Sequence, residues 1–157
     1  VQDNYLYHMT SALNAFSILS DNALKTFLPV EKDDETLMRN LNSKGFRFAS
    51  LCRIPAQIGS RPHYNIYFIL DKSKLKANYK IIPAAYFKKL PHEHRFEYEE
   101  RLITKQQNIP NFSKYIVGIS IFYGNAGVET KEFIDKTLVP LSEKMGIPVY
   151  VYFSKKS

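Results

Sequence analysis

The chain has 157 residues, 45% hydrophobic and 24% charged, which suits one globular domain over residues 1–157 and excludes a large multidomain machine. Lys and Arg number 22 against 15 Asp and Glu, a formal charge of +7 that favours an acidic or phosphate-bearing partner over a cationic one. One cysteine, Cys52, rules out an intrachain disulfide, and no run approaches the roughly 18 apolar residues of a membrane span.

In chain order, Asn4 to His8 reads as a first strand that feeds directly into a helix. Between Thr10 and Lys25 the apolar residues Ala12, Ala15, Phe16, Leu19 and Ala23 recur at helical spacing, with Thr10 or Ser11 as N-cap. Residues 29–44 are polar, hold Glu31, Asp33, Asp34 and Glu35, and suit a loop or a short surface helix. The period then changes to two. Phe46 to Leu51 alternates, and Tyr64 to Leu70 is a β-rich run between Pro62 and Asp71, so both read as strands joined by an irregular connection from Ile54 to His63. Lys72, Lys74 and Lys76 read as a solvated face. Further strands are predicted at Tyr79–Ile82, Phe96–Ile103, Tyr115–Tyr123 and Pro148–Phe153. A second helix near Thr130 should pack Phe133, Ile134 and Leu138, and Pro140 should kink or stop it. These elements make a single α+β domain whose strands mostly follow one another without helical crossovers.

The charge is uneven. Residues 1–35 hold two Lys against six acids, whereas residues 36–70 hold no acid at all and carry Arg39, Lys44, Arg47, Arg53 and Arg61. The guanidinium fork suits phosphate, and Arg47, Arg53 and Arg61 lack nearby acidic partners in sequence. The richest chemistry lies in Phe96-Glu97-Tyr98-Glu99-Glu100-Arg101-Leu102-Ile103. As a strand, this run sets Glu97, Glu99 and Arg101 on one face and Phe96, Tyr98, Glu100 and Leu102 on the other. As a helix, it makes Glu97 and Arg101 an ordinary surface pair four residues apart. His8, at the strand-to-helix junction, is either a satisfied structural histidine or a group beside helix N-terminal amides that receive an anion. His63, His92 and His94 do not complete a metal motif, and no Gly-rich phosphate loop exists, so no metal site and no Walker-type hydrolysis are expected. Cys52 reads as an inert thiol. Val1-Gln2-Asp3-Asn4 does not resemble a signal peptide, and with one cysteine a cytoplasmic location is expected.

Taken in order, Tyr7-His8-Met9-Thr10 before a helix, Phe48-Ala49-Ser50-Leu51-Cys52-Arg53 ending a strand, and Glu97-Tyr98-Glu99 on a later strand resemble the ADP-ribosyltransferase superfamily, including its DNA-targeting members. The resemblance covers most of the chain with short motifs, and Met9 stands where the family has glycine. It implies mainly antiparallel split β-sheets flanked by helices, and NAD as substrate without a metal. His8 would bind the adenosine ribose, Thr10 and Ser50 would shape the pocket, and Tyr64 or Tyr67 would stack on nicotinamide. Glu99 would be the catalytic glutamate, with Glu100 competing for that role because the Glu-Glu-Arg triplet aligns one residue either way. Glu97 would be the partner of Glu99 in orienting the acceptor, and Arg53 would sit against the NAD phosphates or the acceptor. The implied activity is mono-ADP-ribosyl transfer to a nucleic acid or a nucleic-acid-associated protein, as in a toxin or phage-like effector. An NAD-dependent RNA 2′-phosphotransferase and a non-catalytic nucleic-acid-binding or inhibitor module are the alternatives.

Overall fold

The computed structural model describes residues 4–28, 44–54, 65–83, 99–124 and 126–152. Nine strands alternate with helices in it: β1 (Tyr5–Thr10), α1 (Ala12–Asp21), β2 (Ala23–Lys25), β3 (Arg47–Cys52), β4 (Ile66–Asp71), α2 (Lys72–Asn78), β5 (Lys80–Pro83), β6 (Glu99–Thr104), β7 (Asn108–Pro110), a 3-10 turn (Phe112–Tyr115), β8 (Ile116–Phe122), α3 (Val128–Phe133), a π-turn (Ile134–Leu138), α4 (Val139–Lys144) and β9 (Val149–Tyr152). Seven strands form one sheet in the order β5-β6-β3-β1-β4-β8-β9, and β2 pairs with β7 in a separate ribbon. All these pairings are antiparallel except β8 with β9, where the α3–α4 segment makes a helical crossover between parallel neighbours. The fold is therefore α+β, with a mostly antiparallel sheet flanked by helices. That last connection departs from the expected run of strands without crossovers.

β4 lies between β1 and β8 and buries residues on both faces, which is why its sequence, Ile66-Tyr67-Phe68-Ile69-Leu70, is almost continuously apolar. One sheet face, carrying Leu6, Ala49, Leu51, Phe68 and Leu102, packs in the main core with Ala12, Ala15, Ile18 and Leu19 of α1, Leu75 of α2, and Ile134 and Leu138 of the π-turn. The opposite face carries a smaller cluster of Tyr7, Tyr67 and Phe122 with Met9, Cys52 and Ile69 against it.

The first helix starts where Ser11 Oγ accepts the amide of Asn14 at 3.2 Å. It ends at Asp21, short of the expected Lys25, because Asn22 turns into the left-handed region at φ 50°. Asparagine tolerates that conformation, and its side chain is engaged there: Asn22 Oδ1 accepts the Ser113 amide at 2.7 Å. The chain so released forms β2. The run read as a solvated lysine face is a helix, α2, capped by Asp71 Oδ1 at 3.0 Å from the Lys74 amide and buried only at Leu75. Pro140 does not stop the helical run; it sits in the first turn of α4, where the missing donor is tolerated, directly after a change of helix type. The preceding π-turn shifts the hydrogen-bond register, Val139 N–H reaching Ile134 O, so the missing proline donor falls just after a break already made in the ladder. Ser142 Oγ donates to Leu138 O at 2.9 Å and strengthens the next turn. The stretch 96–103 is a strand where it is described, from Glu99 onward; Phe96, Glu97 and Tyr98, the loop at 29–43 and the connection at 55–64 lie outside the described residues. No helix among the described residues is long and apolar enough to cross a membrane.

Candidate active site

β3 and β6 pair with Ser50 opposite Arg101, Leu51 opposite Glu100 and Cys52 opposite Glu99. Directly opposed residues share a sheet face, so this register places the two adjacent glutamates on opposite faces. Glu100 stands with Leu51 and Leu102 on the core face, is buried, and meets Arg53 at 3.0 Å from Nε to Oε2. Glu99 stands on the opposite face. Its Oε2 accepts from Ser50 Oγ at 2.7 Å and from Arg101 Nε at 3.2 Å, and among the described residues Oε1 has no hydrogen-bond partner.

Arg101 is held as firmly as the carboxylate it holds. Its side chain is 5% exposed, and its guanidinium carbon lies 4.4 Å from the centre of the Phe48 ring. A planar cation flat on an aromatic face and fixed through Nε leaves the Glu99 carboxylate few orientations. Glu99 itself is 12% exposed, so it is shielded on one side and reachable on the other.

His8 lies on the other face of the sheet from Glu99, since Tyr7 opposes Cys52 and His8 opposes Phe68 of the main core, and it meets β3 at the backbone of Ser50. Its Nδ1–H donates to Ser50 O at 3.1 Å, and burial pushes the imidazole's proton affinity below the ordinary histidine value, an effect the bond to the carbonyl partly opposes. The ring is therefore neutral, with the proton on Nδ1 and the lone pair on Nε2 available as an acceptor.

His8 and Thr10 line a cavity of about 600 Å³, within the usual size range of small-molecule sites. Its other walls are Asn14, Ser17, Ile18 and Asp21 of α1, the strand β2, Phe27, and Asn108 of β7. Asn14, Ser17 and Asp21 occupy successive turns of one helical face, beside the apolar stripe that faces the core. That polar stripe next to His8 was the sequence signal for the cavity, and an analysis that follows only apolar spacing passes over it. Phe27, 60% exposed, presents an open aromatic face there.

Of the residues singled out in the sequence, His8, Ser50 and Glu99 are linked by direct contacts, and Thr10 joins His8 at the cavity. Ser50 and Glu99 are not among the cavity's lining residues; the Ser50 carbonyl is the bridge between the two parts. Arg53, its side chain 44% exposed, projects past the end of β3 to Glu100 rather than toward Glu99. Tyr67 is buried and meets Tyr7 edge to face at 5.7 Å between ring centres. Arg47, expected as a phosphate ligand, places Nε 2.9 Å from Thr26 Oγ1 and Nη2 2.9 Å from Thr26 O. Glu97, Tyr64, Arg61, His63, His92 and His94 lie outside the described residues. Among the described residues no group of three His, Cys, Asp or Glu side chains is placed to hold a metal. Neither a scan against protein-family models nor a search of curated proteins found a match to the chain.

Proposed function

We propose that the chain is an NAD-dependent mono-ADP-ribosyltransferase acting on a macromolecular acceptor, a nucleic acid or a protein bound to one. The observation that carries this reading is the Glu99 carboxylate, pinned by Ser50 and Arg101, with His8 and its cavity across the same strands on the other face, where His8 meets the Ser50 carbonyl. Breaking the bond between ribose and nicotinamide leaves positive charge on the ribose, while nicotinamide departs neutral and needs no acid. A fixed carboxylate stabilises that charge as it develops, more than it stabilises the ground state, because its dipolar surroundings are already arranged. Glu99 has the required form: Oε2 is occupied by its two donors, and Oε1, which has no hydrogen-bond partner among the described residues, would serve the reacting centre or the acceptor's hydroxyl or amine. The neutral His8 ring offers Nε2 to a ribose hydroxyl, and the cavity supplies polar partners on α1 and the Phe27 ring for a nucleoside. In this scheme Thr10 closes the cavity floor and Tyr67 backs the nicotinamide side, while Arg53, paired with Glu100, is not assigned to the diphosphate.

Incubation with labelled NAD and separate DNA, RNA and protein acceptors should transfer label or hydrolyse NAD. Glu99→Gln keeps the shape and removes the charge, so turnover should fall by about 10²- to 10³-fold while the thermal unfolding midpoint stays close to that of the parent. Unchanged turnover in Glu99→Gln removes the assignment. No turnover together with no calorimetric heat on adding NAD leaves the non-catalytic binding module as the reading.

A further inference from the structure

Two of the arginines that looked available for phosphate are engaged elsewhere in the fold: Arg47 holds Thr26, and Arg53 meets Glu100. The basic excess has another home. Residues 72–83 and 101–128 contain no Asp or Glu, yet carry Lys72, Lys74, Lys76, Lys80, Lys105 and Lys114. These two segments meet in space. Asn78 Nδ2 donates to Lys74 O at 3.4 Å and to Tyr115 Oη at 2.9 Å, which ties α2 to the 3-10 turn bearing Lys114. The Tyr79 and Tyr115 rings meet edge-on at 6.3 Å, and Tyr79 Oη reaches Gln106 Oε1 at 3.4 Å, which brings in the turn between β6 and β7. Lys80 follows Tyr79 and Lys105 precedes Gln106, so both flank this junction.

We infer that this junction is a nucleic-acid-binding surface, with Lys74, Lys105 and Lys114 tracking the phosphodiester backbone. Two features set it apart from a scattering of solvated lysines. Two of the ammonium groups stand over aromatic rings, Lys105 Nζ 5.0 Å from the Phe46 ring centre and Lys114 Nζ 5.1 Å from that of Tyr115, while all three lysines remain exposed. Exposed carboxamides of Gln106, Gln107 and Asn108 follow directly after Lys105, the donors and acceptors that sugars and base edges use. No large apolar side chain among the described residues is exposed on α2, the β6–β7 turn or the 3-10 turn, so the surface lacks the anchor a lipid bilayer would reward. The same turn ends at Asn108, a wall of the cavity beside His8. A strand lying on the lysines therefore runs toward the cavity beside His8. This deepens the reading above by giving its acceptor a chemical class and a path, and the acceptor role rests on that reading, whereas binding itself does not need NAD.

Binding of the full chain to a fluorescent single strand and a duplex, each of about 20 nucleotides, is measured by anisotropy without NAD across a salt series. The parent should bind at least one of them. The triple variant Lys74→Gln, Lys105→Gln, Lys114→Gln should bind at least about 10-fold more weakly at about 100 mM salt, with the salt slope reduced by about 2, as loss of three phosphate contacts requires. A charge-matched control, Lys131→Gln, Lys136→Gln, Lys144→Gln on the α3–α4 segment, should lose less than about 2-fold. Circular dichroism confirms that both variants are folded. Equal losses in the two variants mean that net charge alone attracts the strand, and overturn the inference. Absent binding to both probes overturns it, as does tighter binding to vesicles containing about 30% phosphatidylserine than to either oligonucleotide. NAD hydrolysis by the parent is scored separately: its absence removes the enzyme reading and leaves the surface standing, while intact hydrolysis with unaltered binding in the lysine variant removes the surface alone.

Discussion

His8 connects the two halves of the candidate site, and its protonation has a consequence for stability. The folded state holds the imidazole neutral because burial disfavours the cation, the bond to the Ser50 carbonyl opposing this only in part. Above the ordinary histidine value of 6.5 the ring is neutral in both folded and unfolded chains and contributes no pH dependence. Below it the unfolded chain takes up a proton that the folded chain resists, so stability should fall as pH drops from that value toward the lowered folded one. Urea unfolding at about pH 7.5 and about pH 5.5 should therefore show a larger loss of stability in the parent than in His8→Gln, which cannot take up that proton. Equal losses in the two proteins would mean that His8 is not held neutral. Glu99 illustrates the complementary case: Arg101 stands two residues along the same strand face and Ser50 comes from the register with β3, and the two-residue period of the predicted strand was enough to place Glu99 and Glu100 on opposite faces.

Elements were legible in the sequence where one periodicity dominated. The α1 stripe and the alternating strands β3 and β6 have it, and their cores follow from it. α2 lacked it, because lysines at every second position imitate a strand and Leu75 alone faces inward; its clearest sequence mark is the Asp71 cap. β2 and β7, three residues each, are too short for any period to emerge. In the α3–α4 segment Pro140 marks in sequence where the helix changes type, whereas the π-turn itself is a tertiary accommodation with no simple sequence sign. That turn is fastened to the sheet by Tyr123, whose Oη donates to Asp135 Oδ1. Burial, then the neighbouring carboxylate, push the phenol's ionisation far above its ordinary range, so Tyr123 acts only as a donor. Tyr123→Phe should cost about 1 kcal/mol in urea unfolding, since Asp135 remains exposed and recovers water as a partner. A midpoint unchanged within error would show that the bond does not hold the π-turn.

At the scale of the molecule the cavity depends on a join that no single segment encodes: the β2–β7 ribbon is a separate sheet, yet it forms the wall opposite α1. The join is built around Thr26. Its amide donates to Gln107 O at 3.0 Å, its hydroxyl to Gln106 O at 2.6 Å, and the Arg47 fork grips both its Oγ1 and its carbonyl from the main sheet. Beside it Phe27 and Phe48 exchange two backbone bonds of 2.8 Å. An arginine in an acid-free stretch reads as a phosphate ligand because composition cannot reveal a backbone carbonyl as its partner, and this is why the role of Arg47 was not legible. Its removal should loosen the ribbon without unfolding the sheet. In Arg47→Met, hydrogen exchange at the Thr26 and Phe27 amides should accelerate on the order of 10-fold, while the amide of Phe68, on the buried strand β4, keeps the parent's rate. Arg47→Lys should behave like Arg47→Met, since a single ammonium cannot reproduce the two-pronged grip on Thr26. If the Thr26 and Phe27 amides exchange at the parent's rate in both variants, the two backbone bonds to Phe48 suffice to hold the ribbon, and Arg47 is again available to a phosphate.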